Sequence, residues 1–286
     1  MKLALGTVQF GVDYGISNQK GQTSLEEVKQ ILRYANKHHL ELLDTAAAYG
    51  ESELVLGNCG LEHFKIVSKL PPVPKSATFS EIEEFAENTL EQSLKNLNAE
   101  KVYGYLLHSA NDIMLFPTLY DWLESKKEQG IIKKIGVSVY NPIQAQNIID
   151  KFDIDLIQIP LNLLDQRFIS SGVLNKLKKK GIEVHVRSVF LQGLLLMEER
   201  PVYFKNISHL FDKLESVATE YNIHKAAITL NFVAQLQQVD RVIVGVNELA
   251  HLKQLITLFD TPLPDYPWHV FSCNDEHFIN PSLWQI

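Results

Sequence analysis

Asp44-Thr45-Ala46-Ala47-Ala48-Tyr49-Gly50-Glu51-Ser52-Glu53, with Leu56-Gly57 just behind it, sets a carboxylate and a phenol five residues apart at the mouth of a predicted strand. Two further runs end in the same way. Lys65-Ile66-Val67-Ser68-Lys69 closes on an amine, and Val102-Tyr103-Gly104-Tyr105-Leu106-Leu107-His108 closes on an imidazole. Titratable residues thus stand at or just past the C-terminal ends of three successive strand-like segments, which is where a parallel barrel builds its active site.

Outward from these runs, short apolar or β-branched segments alternate with amphipathic helical ones along the chain, the pattern of βαβ units and a parallel sheet. The predicted strands are Leu3 to Val8, Glu41 to Asp44, Lys65 to Lys69, Val102 to His108, Lys134 to Val139, Asp155 to Ile159, Glu183 to Ser188 and Arg241 to Gly245. Helices are expected over Ser24 to Leu40, Glu51 to Leu61, Ser80 to Leu97, Leu119 to Gln129, Pro142 to Asp150, Ser171 to Lys180, Ser208 to Tyr221, His224 to Leu236 and Asn247 to Phe259, with Ser24, Ser80 and Asn247 as capping residues. Eight strands with following helices spell a closed (β/α)8 TIM barrel. An open doubly wound sheet is the weaker alternative, because no Gly-rich dinucleotide fingerprint follows the first strand.

The 286 residues, 45% apolar, suit one barrel domain over 1–286, with no linker or charge block to suggest a second. Two segments fall outside the alternation: the loop Pro71 to Phe79, and a Pro- and aromatic-rich tail, 260–286, in which Trp268, Phe271 and Trp284 serve either specificity or packing. A formal charge of -7 without clustered cations argues against a nucleic-acid partner. Two cysteines, Cys59 and Cys273, are too few for a disulfide framework and too far apart for a metal knuckle, so a cytoplasmic location without a bound metal is expected. No apolar run approaches the roughly 18 residues of a membrane span, and no leader is expected. A protein partner is not legible.

From Leu5-Gly6-Thr7-Val8-Gln9-Phe10-Gly11 to the helix after Gly245, the chain resembles the aldo-keto reductase superfamily. The resemblance rests on the segment Asp44 to Gly57 with Lys69 and His108, supported by Gly136-Val137-Ser138, Gln158 and the stretch Arg187 to Leu195. It implies a (β/α)8 barrel that transfers hydride between NADP(H) or NAD(H) and an aldehyde, ketone or sugar carbonyl. It also implies the catalytic tetrad Asp44, Tyr49, Lys69 and His108.

Elementary chemistry supports those four independently. Hydride delivery to a carbonyl carbon leaves an alkoxide that needs a proton, and a phenol near pKa 10 releases one reluctantly without help. A lysine cation about 4 Å away is worth roughly 4 kcal/mol at an effective dielectric near 20, so Lys69 is expected to lower the Tyr49 pKa toward neutrality. Asp44 then keeps Lys69 charged, and His108 donates to the substrate oxygen. Tyr14, His38, His39 and His185 lack such context and read as surface or packing residues.

For the cofactor, the resemblance implies Ser138 and Gln158 against the nicotinamide carboxamide, and Ser188, Phe190, Gln192 and Gly193 around the pyrophosphate. Arg187 stands where the family often stacks an aromatic on the nicotinamide, with Phe190 as a substitute. After Gly245, a helix start beginning at Asn247 offers unpaired N–H groups to a phosphate. Where the family commonly supplies a cation to the 2′-phosphate this chain has His251, Gln254 stands for an acid, and Leu255 replaces an Asn. NADH and NADPH are therefore expected to bind within about tenfold of each other. Two other readings are carried: a dinucleotide-sensing protein without turnover, and a lyase or aldolase with Lys69 as Schiff-base amine.

Overall fold

A computed structural model of the chain describes residues 1–74 and 78–286. Lys75, Ser76 and Ala77, in the middle of the expected 71–79 loop, lie outside the described residues.

Eight strands run in the predicted order: β1 (Leu3–Gly6), β2 (Leu42–Asp44), β3 (Lys65–Leu70), β4 (Val102–Leu107), β5 (Ile132–Ser138), β6 (Leu156–Pro160), β7 (Glu183–Arg187) and β8 (Arg241–Gly245). They pair in parallel around a closed barrel in sequence order, with β8 returning to β1. The chain is a (β/α)8 TIM barrel.

Strand alternation explains both the core and the site. Ala4, Leu42, Val67, Leu106, Leu156 and Ile243 form a small buried cluster inside the barrel, distinct from the larger core between strands and helices. Side chains on a strand alternate faces with period two. Two residues further along each of those strands stand Gly6, Asp44, Lys69, His108, Gln158 and Gly245. The apolar plug of the barrel is therefore capped, at its C-terminal mouth, by a layer of polar side chains and glycines.

The opposite mouth is closed differently. At the start of β7, Glu183 accepts hydrogen bonds from Tyr103 Oη at 2.7 Å and from Lys134 Nζ, and lies 2.7 Å from the Nε2 of the fully buried His185. Burial is the largest influence on Glu183 and opposes ionisation, yet these partners hold its carboxyl well below the usual range.

Helix boundaries follow local caps. Ser24 accepts a hydrogen bond from Glu27 N at 3.3 Å and starts the helix Leu25–Lys37, and Asn141 does the same for Pro142–Ile149. Thr78 rather than Ser80 caps the helix Phe79–Leu97, and Glu248 rather than Asn247 precedes Leu249–Leu258. Val8, expected in the first strand, instead opens a helical turn, Val8–Gly11. The tail packs on the barrel. Phe271 is fully buried, Gln166 Nε2 donates to Trp268 O at 2.8 Å, and the rings of Phe204 and Trp284 meet edge-on at 5.0 Å. Among the described residues no helix is long and apolar enough to cross a membrane.

Candidate active site

The loop after β2 is held by close contacts that the sequence encodes. A Cβ on Gly11 would lie 1.8 Å from Tyr49 O, so only glycine lets the turn after β1 approach the Tyr49 backbone this closely. Ser52, fully buried at the start of the helix Ser52–Gly57, donates to Thr7 O at 2.8 Å and contacts Thr45 Oγ1 at 3.2 Å, which ties the Tyr49 loop to β1 and to the end of β2. Glu53 is buried beside it and accepts from Ser68 Oγ at 2.6 Å. Sequence reasoning gave neither Ser52 nor Glu53 this task.

Lys69 is fully buried, and its ammonium reaches three oxygens: Asp44 Oδ2 at 2.8 Å, Thr45 O at 2.7 Å and Tyr49 Oη at 3.4 Å. Those are as many acceptors as an ammonium has hydrogens. Burial is the largest influence on Lys69 and disfavours its charge, but Asp44 and Tyr49 together hold its pKa above the ordinary value. Gln158, also buried, donates to the other Asp44 oxygen at 2.7 Å. What Gln158 presents to the cavity is accordingly its amide oxygen, because its nitrogen is committed to Asp44.

The expected fall of the Tyr49 pKa is not found. Burial raises it, and this outweighs the opposing Lys69 cation. Burial is the main cause, and the charge of Asp44, paired with Lys69 at 2.8 Å, adds to it, so the phenol in the resting protein stays protonated. His108 meets the Tyr49 ring edge-on, with centroids 5.8 Å apart. Burial, reinforced by Lys69, lowers its pKa to about 4, so the imidazole is neutral across the physiological range.

Above these groups opens a cavity of about 690 Å³ at the C-terminal mouth, inside the roughly 300–1,000 Å³ span of small-molecule sites. Asp44, Tyr49 and His108 line it, with Lys69 just beneath. Ser138, Gln158, Arg187, Ser188, Phe190, Gln192, Gly193, Gly245, Asn247, His251 and Gln254 line it as well, so the structure brings every candidate site residue to one place. Arg187 stacks its guanidinium on the Tyr140 ring at 4.7 Å and donates to Val139 O at 3.1 Å. Tyr14, read from sequence as a surface or packing residue, is 39% exposed and lines the rim of the cavity.

At the outer end of the cavity one expectation fails. The first amide of the helix Leu249–Leu258 is not unpaired: Leu249 N donates to Glu27 Oε1 at 2.6 Å. Gln254 Nε2 contacts His224 Nε2 at 3.3 Å, and His251 Nε2 lies 3.2 Å from Glu248 Oε1. Glu248 is also ion-paired with Lys20, which comes from the loop after β1. Gln9, Lys20, Glu27 and Glu248 were not legible as site residues. Barrel closure brings them together from opposite ends of the chain, and Glu248 directly before a helix was the only local signal.

The aldo/keto reductase family model matches residues 2–271. Among solved structures, an aldo-keto reductase from Bacillus halodurans in its holo form is similar at 17% identity and a TM-score of 0.72, over 92% of this chain and 88% of that one. An aldo-keto reductase from Klebsiella pneumoniae in complex with NADPH is similar at 23% identity and a TM-score of 0.71, over 92% and 87%. No curated protein matches the chain.

Proposed function

The chain belongs to the aldo/keto reductase family, and on that premise we propose that it is an NAD(P)H-dependent oxidoreductase acting on an aldehyde, ketone or sugar carbonyl, with Tyr49 as general acid. The observation that carries this reading is the buried Lys69, whose ammonium reaches Asp44, Thr45 O and the phenol of Tyr49. Because Lys69 donates to the phenol oxygen, the phenol's own hydrogen is left to point elsewhere, into the cavity. His108, neutral, carries one N–H on the same side, so two donors converge on a carbonyl oxygen. As the alkoxide develops, Tyr49 gives up its proton, and the charge that appears on its oxygen lies 3.4 Å from Nζ. That interaction is worth about 5 kcal/mol at an effective dielectric of 20, before the opposing field of Asp44 is counted. Lys69 thus acts mainly on the phenolate that forms during the reaction rather than on the resting phenol.

The cavity suits a nicotinamide dinucleotide. Three buried polar atoms without a partner, Gln9 Oε1, Asn247 Nδ2 and His108 Nδ1, belong to residues that line it, and a Cβ at Gly245 would fall 2.4 Å from Gln9 Nε2. The cofactor, when bound, supplies the hydride. Ser138 and the Gln158 oxygen are assigned to its carboxamide, Ser188, Phe190, Gln192 and Gly193 to the pyrophosphate, and Arg187 to the wall beside the nicotinamide. The barrel and the tail 260–286 serve in this reading as one domain.

NAD(P)H consumption with a panel of aldehydes, ketones and sugars, in the wild type and Tyr49→Phe, tests the proposal. The expected result is turnover with at least one carbonyl that falls roughly 10²–10⁴-fold in the variant, with dinucleotide affinity retained. Dinucleotide binding without turnover of any carbonyl would instead favour a sensor.

A further inference from the structure

The outer end of the cavity carries a charge arrangement that bears on which dinucleotide it accepts. From Gly245, beside Gly6 on β1 and one strand from Asp44, the chain leaves the barrel mouth, and the helix Leu249–Leu258 packs outside against Leu25–Lys37. With the hydride donor at Tyr49, the opposite, adenosine end of an extended dinucleotide reaches this outer wall, lined by Asn247, Glu248, His251 and Gln254.

Two carboxylates occupy the start of that helix. Glu27, from the neighbouring helix, accepts the Leu249 amide at 2.6 Å, so the favourable place for an anion at the helix N-terminus is already filled by a side chain. Glu248 precedes the first turn, and the hydrogen bond from Lys20 keeps its carboxyl ionised. Lys20 is the one lysine paired in this cluster, against the two carboxylates Glu27 and Glu248. A phosphomonoester brings nearly two further negative charges at neutral pH. A ribose hydroxyl, by contrast, is a donor that a carboxylate accepts, and dinucleotide sites of other folds use an acidic residue in this way.

We propose that the protein selects NAD(H) over NADP(H): Glu248 accepts a hydrogen bond from the adenosine ribose, and Glu248 and Glu27 together exclude a 2′-phosphate. This rests on the reductase reading and replaces the near-equal affinities expected from sequence, where the absence of an arginine was legible but the presence of two carboxylates was not.

Fluorescence titration of the full chain with NADH and with NADPH, at pH 7.5 and fixed low salt, tests it through dissociation constants alone. The wild type is expected to bind NADH at least about tenfold more tightly, the equivalent of one charge-assisted hydrogen bond. Glu248→Gln and Glu27→Gln should each strengthen NADPH binding, and Glu248→Gln should also weaken NADH, so that the ratio falls by about tenfold in the double variant. Equal affinities or an NADPH preference in the wild type would overturn the proposal, because Lys20 would then have turned from Glu248 to the phosphate. An unchanged ratio in both single variants and the double variant would overturn the assignment to these carboxylates. Binding of neither dinucleotide by the folded wild type would overturn the reductase reading itself, and this inference with it.

Discussion

Replacing Asp44 with Asn should cost the protein more stability than any other single polar substitution at the cavity floor, and the cost should depend on pH. Lys69 and Asp44 are 2.8 Å apart, with side chains 0% and 5% exposed. Removing one member of such a pair leaves an uncompensated buried charge, at a cost of about 3–5 kcal/mol. In the wild type Lys69 is held above its ordinary value, so its contribution is complete below pH ~10.4 and is lost only as pH rises through the raised pKa. In Asp44→Asn burial acts on Lys69 without its counter-charge and the folded pKa lies below the unfolded one, so the unfolded state binds more protons and stability climbs as pH rises toward about 10.4. Urea unfolding followed by tryptophan fluorescence should place the variant's midpoint ~1–2 M lower at pH 7, for a slope of about 3 kcal/mol/M. The gap should narrow at pH 9. Asp44→Asn/Lys69→Met, which removes both charges, should recover most of the loss without recovering activity. A single-variant midpoint within ~0.3 M of wild type, or a gap that does not change with pH, would refute the view that Asp44 is what keeps a charged lysine inside the barrel.

Because the His108 pKa is lowered to about 4, no inflection near 6.5 from this residue should appear in kcat/KM between pH 5.5 and 8, and an ascending limb there that His108→Gln abolishes would contradict a neutral imidazole. The same depression means that stability is lost as pH falls from about 6.5 toward 4, which acid titration of Tm in wild type and His108→Gln should register as a shallower decline in the variant. Glu183→Gln, at the opposite mouth, should lower stability by about 1.5–3 kcal/mol at pH 7, with the difference from wild type closing as pH falls below about 4, where the carboxyl takes up a proton in the unfolded chain while the folded one is still held ionised. Its kcat should be unchanged. A drop in kcat with unaltered stability would mean that the two ends of the barrel are coupled.

The eight strands were legible because short apolar or β-branched runs alternate with amphipathic helical stretches, and for the runs that end at or beside Asp44, Lys69 and His108 period-two alternation carries the polar residue to the barrel mouth. Short elements were not. The turn Val8–Gly11 and the helix Ala110–Leu115 owe their conformation to tertiary partners, such as Val73 N donating to Asp112 Oδ2 at 2.9 Å, rather than to propensity. The four candidate catalytic residues could be named from three strand ends, but the state of Tyr49 could not. Whether a cation lowers a phenol's pKa depends on how deeply the phenol is buried and on which other charges stand beside it, and neither is written in the sequence. The acidic outer wall shows a harder limit: Lys20, Glu27 and Glu248 are each unremarkable exposed-helix or loop residues until closure of β8 onto β1 brings them together.

On the proposed reading, the three acceptors around the Lys69 ammonium also keep this amine from reacting with an aldehyde substrate. Aldehydes condense with free amines, and an unprotonated lysine at the floor of a cavity that concentrates them would be the first casualty. Here the nitrogen lone pair is permanently occupied by a proton that Asp44 secures, and solvent cannot reach it. Exposed lysines such as Lys179 and Lys180 have no such shelter, so adducts formed with an aldehyde should accumulate there while Lys69 stays unmodified. The contacts that would assist proton transfer in the proposed reaction thus also passivate the Lys69 amine chemically.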